Sequence, residues 1–121
     1  MSKAAFTIKA FAVYMLALGV ILVLIPNVVL AMFGLPTTSE VWIRVVGLLV
    51  FNIGVYYWFA AVSEARAFFR ASVFTRVLVL VAFATFAALD LVDPPLILFG
   101  VADFVGGIWT FFALRQDARG A

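Results

Sequence analysis

Apolar residues run almost unbroken along this chain, and the polar positions that interrupt them divide it into four blocks. The first, Ala10 to Ile25, follows Lys3 and Lys9 and ends where Pro26 pushes Ile25 out of helical geometry. Asn27 is placed to cap a short helix, Val28 to Phe33, which Gly34 and Pro36 close. We read that piece as lying at the headgroup level; one kinked helix of about 30 residues is the competing reading. Thr37 and Glu40 have the spacing of a capping box that opens a second helix over 41–62. The charged linker Ser63–Arg70 leads to a third helix over 71–91, containing Arg76 and Asp90. Asp93-Pro94-Pro95 is an N-cap followed by proline in the first turn, so it opens a fourth helix over 94–114, which contains Asp103.

Each block has the length of a membrane span, about 20 residues, with the first read as 8–25. Composition agrees. Of 121 residues, 68% are hydrophobic and 12% charged, and mean hydropathy is +1.27. Soluble domains average ~45–50% apolar and ~25% charged, so water is not the solvent for most of this surface. The expected fold is an all-α integral membrane four-helix bundle, a single domain over 1–121, with a short interfacial helix after the first span. The positive start followed by an apolar run also has the form of a signal peptide, with Val29-Leu30-Ala31 as a mediocre cleavage site.

Charge adds orientation. Lys3, Lys9, Arg66, Arg70, Arg76, Arg115 and Arg119 lie at or near one side, seven of the eight basic residues, and only Arg44 approaches the other. The positive-inside rule places both termini and the 63–70 loop in the cytoplasm, in the bacterial inner membrane. The net charge of +2 is modest, and no nucleic-acid partner is expected. Cysteine and histidine are absent, which removes thiol redox relays, structural zinc and haem held by His or Cys. No cofactor or metal is expected. No repeat relates the two halves, so an inverted-repeat transporter is not indicated.

Ionisable side chains inside a span need partners or water, since each costs several kcal/mol otherwise. Arg44, Arg76, Asp90 and Asp103 are the ionisable candidates, and Asn52 joins them as a deep polar residue. From the outer side, Arg44 and Asp90 lie within about one turn of the surface; Asp103 lies roughly 12 Å down and Asn52 about 16 Å. Arg76 lies about 9 Å from the inner side. Arg76 and Asp90 share a face, Asn52 and Tyr56 are one turn apart, and Gly100, Asp103, Gly107 and Thr110 form a small, polar stripe. If these stripes face each other, a polar track runs through the bundle.

The track has a structural reading and a functional one. Two arginines and two aspartates sum to zero and can lock helix packing, helped by small pairs such as Ala84/Ala88 and Ala102/Gly106. Alternatively, Asp103, Arg44 and Asn52 line a cavity in which Asp103 receives a cationic or hydroxylic headgroup or a proton. Tyr56, Tyr57 and Trp58 read as an interfacial belt, and Arg66 and Arg70 as topology determinants that touch anionic lipid.

Trp42-Ile43-Arg44-Val45-Val46-Gly47, Asn52, Gly54-Val55-Tyr56-Tyr57, the Leu24-Ile25-Pro26-Asn27 break and the Phe33-Gly34-Leu35-Pro36 turn resemble small bacterial four-helix membrane proteins of DoxX-like type. The resemblance implies a four-helix bundle and no agreed activity, and it carries over no catalytic residue. Vitamin K epoxide reductase-like enzymes need cysteines that are missing here. Small multidrug-resistance transporters use a glutamate in a first helix that has no acid here.

The expected role is binding or accessory. Membrane lipids surround the chain, and a lipophilic small molecule, a lipid or a membrane-protein partner is held by the interior track. The alternatives are an enzyme on a lipid or isoprenoid-like substrate, with Asp103 as acid or base, and a proton-coupled transporter acting as a homo-oligomer.

Overall fold

In a computed structural model describing residues 1–120, the chain forms five helices and, among the described residues, no strand. They are α1 (Lys3–Leu24), α2 (Pro26–Met32), α3 (Trp42–Val62), α4 (Arg66–Ala88) and α5 (Ile97–Gly120), the last entered through a 3₁₀ turn at Pro94–Leu96. Four of these segments are long and apolar enough to cross a bilayer, so the chain is a multi-pass, all-α membrane bundle.

Several helix ends differ from the sequence expectation, each for a local reason. α1 begins at Lys3 because the Ser2 hydroxyl accepts from the Ala5 amide at 3.0 Å. Asn27 lies inside α2, where Pro26 takes the first helical position. The Asn27 side-chain oxygen, Oδ1, accepts from the Thr38 amide instead of capping the helix. Thr37 and Glu40 form no capping box: the Glu40 amide donates to Thr38 Oγ1, and α3 starts after Val41 with no side-chain cap. Asp93 occupies the position before the 3₁₀ turn without a side-chain cap of its own.

Three helices close in the same way. Gly34, Glu64 and Asp90 all have left-handed backbones, with φ of 69°, 52° and 59°. Around each, paired amides reach back three and five residues: Gly34 to Ala31 and Leu35 to Leu30, Glu64 to Ala61 and Ala65 to Ala60, Asp90 to Ala87 and Leu91 to Phe86. This is the Schellman termination, which satisfies the last carbonyls of each helix. α4 therefore stops at Ala88, and Asp90 belongs to the turn, not to a span.

The helices pack as two antiparallel hairpins. α1 lies along α3, α4 lies along α5, and α1 against α5 joins the pairs. α3 and α4 diverge although they are consecutive in sequence. The start of α1, the last turns of α5 and the α3–α4 turn meet at one end of the bundle, the terminal end. There Asp117 accepts from the Lys3 and Ala4 amides at 3.1 and 2.9 Å, and Glu64 Oε2 accepts from the Ser2 amide at 3.0 Å. Carboxylates from two distant segments thus satisfy donors at the start of α1, where the helix dipole favours negative charge.

The Ser2 hydroxyl and, after it, the Ser2 amide hold the Glu64 carboxyl below its ordinary value of 4.5. A depressed folded value means that the contribution to stability is present above the unfolded pKa and is lost as pH falls through the folded one. In detergent melts, wild type should exceed Glu64→Gln by a constant margin near neutrality, and the margin should close only in acid, below pH 4.5. A margin unchanged down to pH 3 would show that the carboxylate charge contributes nothing.

Candidate functional site

The inward face of α5 carries the stripe expected from sequence. Gly100, Gly107 and Thr110 are buried and Asp103 is half-buried. Gly100 lies against Leu80 and Gly107 against Arg76, so the stripe is where α4 and α5 approach.

Arg76 is the best-buried charge, with 2% of its surface exposed. It lies about 15 Å along α4 from Arg66, and its side chain turns back one turn toward the terminal end, to Ser72. Its Nε donates to the Ser72 carbonyl at 3.1 Å, and Nη2 donates to Ser72 Oγ and Thr110 Oγ1, both at 2.9 Å. Thr110 Oγ1 pairs in turn with Thr7 Oγ1 at 2.7 Å. The guanidinium lies over the rings of Phe11 and Tyr57, 4.9 and 5.6 Å from their centroids, a cation–π arrangement that replaces part of its lost hydration. Nη1 is buried without a partner among the described residues, beside Gly106.

Asp103 lies one helical turn from Gly106, toward the opposite, far end. It helps to line a cavity of about 200 Å³ where the hairpins diverge. The walls come from Tyr14, Met15, Leu18 and Leu22 of α1, Ile43, Val46 and Val50 of α3, Phe83 of α4 and Phe99 of α5, with Val29, Leu30, Leu35 and Leu96 toward the far end. Asp103 is the only ionisable carboxyl in this apolar lining. Leu30, Leu35, Ile43 and Leu96 are shared with a wider depression at the far end, whose rim carries Asp90 and Asp93. The inner cavity therefore opens toward that end.

The continuous track through the bundle does not form. Arg76 and Asp103 are in the interior, and Asp90 stands at the mouth. Arg44 is exposed and does not line the cavity. It donates to the carbonyls of Val23 and Leu24, which the break at Pro26 leaves without helical partners, and its charge suits a helix C-terminus. Asn52 and Tyr56 point outward because α3 presents Gly47, Gly54, Tyr57 and Ala61 to its neighbours, and at 3.6 residues per turn the two fall on the opposite side.

Two further sequence readings need correcting. Tyr57 is not part of an interfacial belt, being 6% exposed and packed on Phe11 and Phe68; Trp58 lies under Lys9 at 4.5 Å. The tight helix contacts use glycines, while Ala84 and Ala88 are exposed.

Sequence reasoning passed over Thr7, Phe11 and Tyr14. They repeat at i, i+4 and i+7 on α1, a periodic face of one hydroxyl and two rings, and that spacing was the available signal. The chain matches no family model, no curated protein and no solved structure.

Proposed function

We propose that this multi-pass protein binds a lipophilic small molecule in the cleft between its hairpins, with the molecule's polar head at Asp103. We place it in the bacterial inner membrane, with both termini and the 63–70 loop cytoplasmic. The observation that carries the reading is the cavity of about 200 Å³ with apolar walls and one carboxyl group. A pocket of roughly 150 Å³ lined by similar side chains accepts benzene, so this volume suits a single ring with a short substituent or an equivalent length of chain. Few, well-placed polar groups in an apolar concavity are the usual composition of a small-molecule site.

The head is a neutral hydroxyl. Arg76 directs its hydrogen bonds to Ser72 and Thr110, and its unpartnered Nη1 lies beside Gly106, one helical turn from Asp103, so its charge is felt at that carboxyl. A second cation would be repelled by Arg76 and an anion by Asp103, whereas an alcohol can donate to the carboxylate without adding charge.

Native mass spectrometry of the detergent-solubilised chain tests both statements with 4-methylbenzyl alcohol, 4-methylbenzylamine and 4-methylbenzoate. The alcohol should bind at least tenfold more tightly than the charged analogues, and Val50→Phe, which fills the cavity wall, should abolish its binding. Binding equal to wild type in Val50→Phe would overturn the site; equal binding of all three probes would overturn the head-group assignment alone. For orientation, a cysteine placed at Thr38 should react with a membrane-impermeant maleimide added outside cells, and one at Ser63 should not.

A further inference from the structure

Midway along α3, ten residues from either end, the Asn52 side chain is exposed and makes no hydrogen bond with any described residue. That point is about 15 Å from each end of the helix, at the centre of a bilayer. A carboxamide facing acyl chains has no solvent to replace its lost hydrogen bonds, so it needs a partner from another molecule.

The surroundings of Asn52 say what kind of partner. Val45, Leu49, Asn52, Tyr56 and Phe59 are all exposed on α3. Their spacing is four, three, four, three, the a/d repeat of a helix seam that packs with a left-handed crossing. Asn52 occupies the middle position, where a single asparagine fixes register and oligomer state in coiled coils.

We infer that this face of α3 is a homodimer interface, in which Asn52 of one copy hydrogen-bonds to Asn52 of the other. A second copy fits better than an unrelated protein. Two copies inserted the same way are related by a two-fold axis along the membrane normal, which brings equal depths together and sets the two carboxamides opposite each other. An amide both donates and accepts, so it is complementary to itself, as an isologous contact requires. The seam lies on the side of α3 away from α1, so pairing leaves the cleft between the hairpins open and does not depend on any ligand.

The absence of native cysteine makes the test clean. In membranes, Leu49→Cys should give a disulfide-linked dimer, whereas Phe74→Cys, on the exposed face of α4, should not. By single-molecule photobleaching in liposomes at fixed dilution, wild type should be dimeric. Asn52→Leu should weaken the dimer at least tenfold without lowering the melting temperature of the detergent-dispersed monomer, and Asn52→Gln should retain it. A monomeric wild type, a dimer unaffected by Asn52→Leu, or cross-linking at Phe74→Cys instead of Leu49→Cys would each overturn the interface.

Discussion

Alanine at Gly19 or Gly47 should destabilise the bundle by about 3 kcal/mol at either position, at the upper end of what overpacking usually costs. A Cβ on Gly19 would lie 2.7 Å from both the Cβ and the amide nitrogen of Phe51 and 2.8 Å from the Gly47 carbonyl. One on Gly47 would lie 2.7 Å from Leu22 Cβ and 3.0 Å from the Gly19 carbonyl. Backbone atoms are among the obstacles, so no rotamer change relieves the clash and α1 must move away from α3. Within a bilayer the loss is not recovered by hydrophobic contact elsewhere, because helix association there rests on close packing.

The two glycines face each other, which makes a sharper expectation. Once the helices are apart, the second methyl meets little resistance, so Gly19→Ala/Gly47→Ala should be less destabilised than the sum of the single variants by more than 0.5 kcal/mol. Gly34→Ala is the comparison: nothing lies within 4 Å, and only its φ of +69° opposes the change, for about 1 kcal/mol. Unfolding in mixed micelles reads all four variants. Singles that melt with wild type would mean that the α1–α3 contact is looser than described.

Replacing Arg76 should have the next largest effect, about 3 kcal/mol for Arg76→Met, of the order of losing two hydrogen bonds from a charged donor. The sign is not trivial, because swapping a buried charge for an apolar side chain is often neutral. Here the guanidinium donates to Ser72 and Thr110 and lies over two rings, while Nη1 remains unpaired. The three hydrogen bonds and two ring contacts outweigh one orphaned donor, so removal destabilises.

Arg76→Lys should not restore the loss, since an ammonium lacks the planar fork that reaches Ser72 and Thr110 together. Thr110→Val combined with Arg76→Met should be non-additive by about 1 kcal/mol, as expected for members of one network. A methionine variant as stable as wild type would show that desolvation of the guanidinium cancels everything it contacts.

The apolar blocks determined the solvent, the number of spans and the all-α class, because a helix in lipid must satisfy its own backbone and needs a fixed length to cross. Proline at 26 and the residue pair 94–95 likewise marked the helix breaks, and the i, i+3, i+7, i+10 stripe of α5 marked its inward face. These are local or periodic signals, and one chain is enough to carry them.

Which way Asn52, Tyr56 and Arg44 point was decided by tertiary structure, since a helix in lipid is apolar on every side and its sequence does not say which face meets a neighbour. On α3 the answer came from Gly47 and Gly54, whose missing side chains let α1 approach, and that contact turned Asn52 outward. The apolar run of α4 carries on past Ala88, so the sequence pattern extends the third helix to 91 and does not register the left-handed backbone of Asp90 that ends it. The cleft beside Asp103 exists because α3 and α4 diverge. Divergence is a relation between two helices, and neither sequence contains it alone.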